Sequence, residues 1–77
     1  MIEYNRAFHL TNREREIVEM VACGLSAKEA AIELGIAPCT VERHVENVRL
    51  KTGTRNRVHM IAHLFREGSL TQQSSLA

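Results

Sequence analysis

The sequence predicts an all-α fold of four short helices, and three observations predict it. Thr11 with Glu14, and Ser26 with Glu29, are two capping boxes, each opening a run of apolar residues. A glycine closes each of the four predicted helices, at Gly24, Gly35, Gly53 and Gly68. Between them, Val41, Val45 and Val48 recur at spacings of four and three, the period of one face of a helix. The chain has 77 residues, which sets a single small domain as the default. A domain of that size buries only about 60% of the surface its unfolded chain exposes, so pairing with a second copy would help it.

Residues 1–10 show no clear period and are expected to be an N-terminal arm or linker. The domain proper is expected at residues 11–68. Its first helix runs from about Asn12 to Cys23, with Ile17, Val18, Met20 and Val21 inward and Arg13, Glu16 and Glu19 in water. Cys23 reads as a buried small hydrophobe on that apolar face. Gly24 ends the helix, and Leu25 is the apolar residue that folds back after such a stop. The second helix, from the Ser26 cap to about Leu34, turns Ala30, Ala31 and Leu34 inward, and its small residues allow a neighbour to approach closely.

Gly35, Ile36 and Ala37 make a three-residue turn into Pro38, which suits the first position of a helix because its missing N–H is not needed there. A turn of this kind joins the two helices of a helix-turn-helix. The third helix, residues 38–52, sets its valine stripe toward a core. Cys39, Arg43, Glu46, Asn47 and Leu50 fall on the opposite side, with Thr40, Glu42 and His44 on the flanks. Such a ridge either enters a groove or is an ordinary solvated surface, and composition leaves both open. Asn56 caps a fourth helix, Arg57 to Glu67, whose core stripe is expected to be Val58, Ile61, Ala62 and Phe65. Met60 and Leu64 lie on a second apolar side, as further core or as part of a dimer contact. Residues 69–77 are polar and are expected to form a flexible C-terminal tail.

The net charge of +1 does not announce a polyanion partner, but its distribution is uneven. Residues 1–37 hold four cations against six acids, and residues 38–77 hold six against three. Five of those six cations lie between Arg43 and Arg57, and local density governs phosphate binding more than the total does. Three aromatics are too few for a base-stacking platform. No apolar run approaches the ~20 residues of a membrane span, and no secretion signal is visible, so a cytoplasmic protein is expected. Two cysteines make no disulfide framework. His59 and His63 stand four apart, a spacing metal sites use, but no close cysteine pair joins them; no metal and no cofactor is expected. His44 has no nucleophile placed to use it and there is no phosphate-cradling glycine loop, so the chain is not expected to be an enzyme.

The order of elements and their residues resemble the LuxR/FixJ-type helix-turn-helix DNA-binding domain of bacterial transcriptional regulators. The matching runs are LTNREREI at 10–17, GLSAKEAA at 24–31, LGI at 34–36 and TVERHVENV at 40–48, with Lys51, Gly53 and Arg57. Each run is weak alone; together, at the family's spacing, they are specific. The resemblance implies that the third helix is the recognition helix, with Glu42, Arg43 and Glu46 as base contacts. It further implies that Lys28, Thr40, His44, Asn47, Lys51 and Arg57 meet the DNA backbone or hold the register. The family's last helix commonly forms the homodimer contact, which would fit Met60 and Leu64.

Four positions depart from the family pattern. Ala37 stands where a hydroxyl N-cap is preferred, Thr52 where a leucine is usual, and Glu42 and Glu46 where basic residues are common. A carboxylate repels phosphate but accepts from the amino group of cytosine. Glu46 is expected to pair with Arg43 or Arg49 at helical spacing and orient it. For Glu42, base reading and a solvated surface stand level. The expected function is sequence-specific binding of double-stranded DNA, as a homodimer on an inverted repeat, with Arg43 bidentate to guanine as the main base contact. The alternative is a protein-interaction module that docks a partner regulator or RNA polymerase, suggested by the near-neutral charge and an exposed Leu50.

Overall fold

The structure is a computed structural model that describes residues 9–68 and residue 70. Its elements are α1 (Asn12–Ala22), α2 (Ala27–Leu34), α3 (Pro38–Thr52) and α4 (Arg57–Arg66). Both capping boxes form. The Glu14 amide donates to Thr11 Oγ1 at 3.0 Å while the Thr11 amide donates to Glu14 Oε1 at 3.0 Å. The Ser26 and Glu29 pair repeats this, with the Glu29 amide 3.1 Å from Ser26 Oγ and the Ser26 amide 2.8 Å from Glu29 Oε1. Asn56 caps α4 through the His59 amide, 2.8 Å from Asn56 Oδ1. Ala37 caps α3 with no side-chain bond, leaving the start of that helix to Pro38.

The core is one cluster: Ile17, Val18, Ala30, Ala31, Val41, Val45, Val48, Met60, Leu64 and Leu70. The valine seam of α3 lies at its centre, and α3 packs against each of the other three helices. Burying a side chain such as Ile17, Met60 or Leu64 contributes about 1.5–3 kcal/mol each. Ala30 and Ala31 sit between α2 and the core, where a larger residue would hold the α2–α3 pair apart. Gly35 takes φ +69° at the turn, the left-handed conformation that turns the chain from α2 into α3. There the Ile36 amide reaches back to the Ala31 carbonyl at 3.0 Å and ties off the end of α2.

Of the two readings open for Met60 and Leu64 the structure gives further core, and of the expected stripe of Val58, Ile61, Ala62 and Phe65 only Ile61 packs against that core. Met60 and Leu64 are completely buried, whereas Val58 is 79% exposed, Phe65 39% and Ala62 also exposed. Six apolar residues almost encircle this short helix, so its sequence fits two orientations. The turn from α3, held by Thr54 and Arg49, fixes the one in which Met60 and Leu64 meet the valine seam. Cys23 is exposed rather than buried, because α1 stops at Ala22 and Cys23 already belongs to the cap. Leu70 is buried and its amide donates to the Leu64 carbonyl at 3.2 Å. Leu70, which falls in the stretch assigned to the tail, is thus part of the core; residue 69 and residues 71–77 lie outside the described residues. So does the arm over residues 1–8, while Leu10 packs against the core.

Candidate nucleic-acid interface

The seam that seats α3 also decides what α3 shows. With Val41, Val45 and Val48 buried, the 3.6-residue period turns Arg43 directly away from the core, with Cys39, Glu46, Asn47 and Leu50 beside it. Arg43, Asn47 and Cys39 are exposed, and Leu50 is 61% exposed. Among the described residues, Arg43 and Asn47 have no side-chain partner. A cation and an amide one helical turn apart thus stand uncommitted on one ridge, and these are the side chains that hydrogen-bond guanine and adenine edges.

The two carboxylates of this face are both occupied. Glu46 faces Arg49 as a fork: Arg49 Nε donates to Oε1 at 3.1 Å and Nη2 to Oε2 at 2.7 Å. The hydrogen bond from Arg49 holds the Glu46 carboxyl below its ordinary pKa, and the same bond raises the guanidinium. Arg49 Nη1 also donates to the Thr54 carbonyl at 2.6 Å, so one side chain neutralises Glu46 and clasps the α3–α4 turn. The sequence left Glu46 to pair with either Arg43 or Arg49 at helical spacing; the structure gives the pair to Arg49 and leaves Arg43 out of it. Glu42 receives Arg57 Nη2 on Oε1 at 2.9 Å, a bond from the start of α4 to the exposed flank of α3.

Of the residues expected to meet the DNA backbone, Lys28 and Asn47 are exposed and without an acid partner among the described residues. Thr40 and His44 lie half-buried on the flank of α3, and His44 Nδ1 is buried with no hydrogen-bond partner. Arg57 is turned to Glu42. Lys51 differs most from the expectation. Its Nζ donates to Glu14 Oε1 at 2.6 Å and to the His9 carbonyl at 2.9 Å, tying the end of α3 to the start of α1. Glu14 is only 4% exposed. Burial works to raise its carboxyl pKa; the Lys51 and Thr11 hydrogen bonds, with the charges of Lys51 and His44, outweigh this and hold it below the ordinary value. Lys51 is therefore a brace, and Arg55, a cation of the basic run to which no contact was assigned, lies exposed between α3 and α4 with no side-chain partner among the described residues.

The expectation that Met60 and Leu64 supply a dimer contact is corrected. Both are enclosed by their own subunit and have no surface to offer. The apolar surface of α4 is on its other side, where Val58, Ile61, Ala62 and Phe65 join Val21 and Ala22 of α1 in a shallow groove edged by Arg57. Elsewhere, His59 Nδ1 accepts the Arg55 amide at 3.1 Å and His63 faces Glu67 at 3.8 Å, so each histidine of the spaced pair serves its own helix end.

Comparison with known proteins places these features in a wider set. Residues 9–64 match the family described as bacterial regulatory proteins, luxR family. The chain is 43% identical over 56 residues to the transcriptional regulatory protein UhpA of Escherichia coli, covering 73% of this chain and 29% of UhpA. It is 39% identical over 61 residues to the spore germination protein GerE of Bacillus subtilis, covering 79% of this chain and 82% of that one. A solved structure of the transcription factor GerE superposes with a TM-score of 0.77 at 39% identity, over 80% of this chain and 92% of that chain.

Proposed function

The chain belongs to the luxR family of bacterial regulatory proteins, and we propose that it binds double-stranded DNA sequence-specifically, with α3 in the major groove. It is a non-enzymatic helix-turn-helix domain of the kind that transcriptional regulators carry. The chain spans about three tenths of UhpA, so the activity of any larger assembly is part of the proposal. One observation carries the reading: Arg43, exposed and without a side-chain partner among the described residues, stands opposite the buried valine seam on the helix that follows the Gly35 turn. Arg43 reads a guanine edge, Asn47 lies beside it, and Lys28 and Arg55 hold the duplex by its phosphates. Thr40 and His44, half-buried on the flank, set the register of α3. That function belongs in the cytoplasm, beside the chromosome.

Two copies bind an inverted repeat, each placing one α3 in successive turns of the groove. The groove of Val21, Val58, Ile61, Ala62 and Phe65 supports a contact between copies, because it is an apolar surface of α1 and α4 that the described residues leave uncovered.

Fluorescence anisotropy on a selected site and on scrambled DNA, across a salt series, tests this. Arg43→Ala is expected to cost about 1–3 kcal/mol on the matched site and to relax specificity at one base pair. Lys28→Ala is expected to weaken all sequences alike and lower the salt slope by about one. Equal effects of the two substitutions on matched and scrambled DNA would remove the assignment. Exposed Ile32 and Leu50 favour the second reading, a protein-docking module for a partner regulator or RNA polymerase. That reading stands if DNA is not bound even at low salt while a regulator or polymerase subunit is retained.

A further inference from the structure

Glu42 and Glu46 occupy the same face of α3, but their carboxylates are not equivalent. Both oxygens of Glu46 are engaged by Arg49 in a fork. Glu42 is engaged on one oxygen only, and by a residue from a different element: Arg57 of α4, at 2.9 Å from Oε1. Among the described residues Glu42 Oε2 has no partner, and the side chain is about half exposed. Glu42 is the fifth residue of α3, in the end of the helix whose side chains reach base edges in a helix-turn-helix complex.

An acid beside DNA is disfavoured by the phosphates, and an exposed glutamate on a helix samples several rotamers. Arg57 removes both disadvantages, balancing the charge and holding the carboxylate from a fixed point on α4. What remains is one acceptor oxygen, directed from the recognition helix and adjacent in sequence to Arg43. A carboxylate accepts from the exocyclic amino group of cytosine; it has no donor for guanine O6 or thymine O4, and at adenine the amino group lies beside the N7 acceptor, which repels it. Resting on the proposed reading of α3, we infer that Glu42 reads a cytosine next to the guanine read by Arg43, and that Arg57 is the positioning residue that makes this possible. The preferred half-site then contains cytosine at the Glu42 position, and Arg57 governs specificity there without touching a base.

Selection of binding sites by the full 77-residue chain from a randomised duplex library tests this. Wild type is expected to enrich a guanine column, lost in Arg43→Ala, and an adjacent cytosine column of about tenfold preference, the low end for a good base contact. Glu42→Gln should move that column toward adenine, whose N6 and N7 suit an amide. Arg57→Ala should flatten the cytosine column to near unity and leave the guanine column standing, and Arg57→Lys should restore part of it. A merely structural Arg57 would lower both columns together, and a phosphate-anchoring Arg57 would lower affinity for every sequence with the cytosine column intact; either result overturns the inference. A guanine column with no neighbour that responds to Glu42→Gln overturns it as well. Enrichment of no sequence by wild type is a different failure, one that removes the DNA-reading function itself.

Discussion

Glu14 shows how much one side chain can carry in a small core. Its carboxylate caps α1, accepts Lys51 from the far end of α3, and is almost wholly out of water. Removing Lys51 leaves the Glu14 charge buried with the Thr11 amide as its remaining hydrogen-bond donor. Lys51→Ala is therefore expected to cost ~1–3 kcal/mol in urea unfolding, a larger effect than an exposed ion pair gives. The salt slope of DNA binding should change little, which separates a brace from a phosphate contact. The pH dependence has a definite sign. The folded pKa of Glu14 lies below its unfolded value, so its contribution is complete above the unfolded pKa and is lost as pH falls through the folded one. Unfolding midpoints followed from neutral pH into the acid range should fall, and fall less steeply in Glu14→Gln. The capping role of Glu14 was legible from T-x-x-E, because both partners are three residues apart. Its pairing with Lys51 was not, because 37 residues separate them and nothing in a linear pattern records that approach.

At the scale of the elements, the helices are written in their ends. Capping boxes, Pro38 at N1 and the closing glycines are local chemistry, and α1, α2 and α3 begin where those signals stand. The one weak start is Ala37, whose backbone already has the extended conformation of an N-cap but whose side chain offers no acceptor. Ala37→Ser should therefore stabilise the domain by about 1 kcal/mol, read as a rise in the thermal or urea midpoint with helix content unchanged. The orientation of α4 is a different kind of information. Its two apolar stripes are close to interchangeable by residue type, and the α3–α4 turn selects between them. Met60→Ala is expected to destabilise by about 2–5 kcal/mol. Val58→Ala, on the exposed stripe, should stay within about 0.5 kcal/mol. The opposite ranking in denaturant titrations would reinstate Val58 as core.

At the scale of the whole molecule, a single core forces a division of surfaces. Burying the valine seam exposes the Arg43 ridge, and burying Met60 and Leu64 exposes the α1–α4 groove. The first serves the proposed contact with DNA, the second the proposed contact with another copy. Val58→Asp is expected to keep the fold and shift the sedimentation profile toward monomer, with weaker binding to paired half-sites than to one. An unchanged profile at the same protein concentration would remove the groove as the dimer contact. The sequence by itself determined the number of helices, their starts, their stops to within a residue, the seam that faces inward on α3 and, through it, the Arg43 ridge that faces outward. These depend on neighbours within about one or two helical turns, where spacing and side-chain chemistry suffice. Tertiary structure alone decided which side of α4 is core, that Lys51 is bound to Glu14, and that Arg57 meets Glu42. Each of those depends on where a turn delivers the next helix, and the side chains that meet there are distant in the chain and have no periodicity in common.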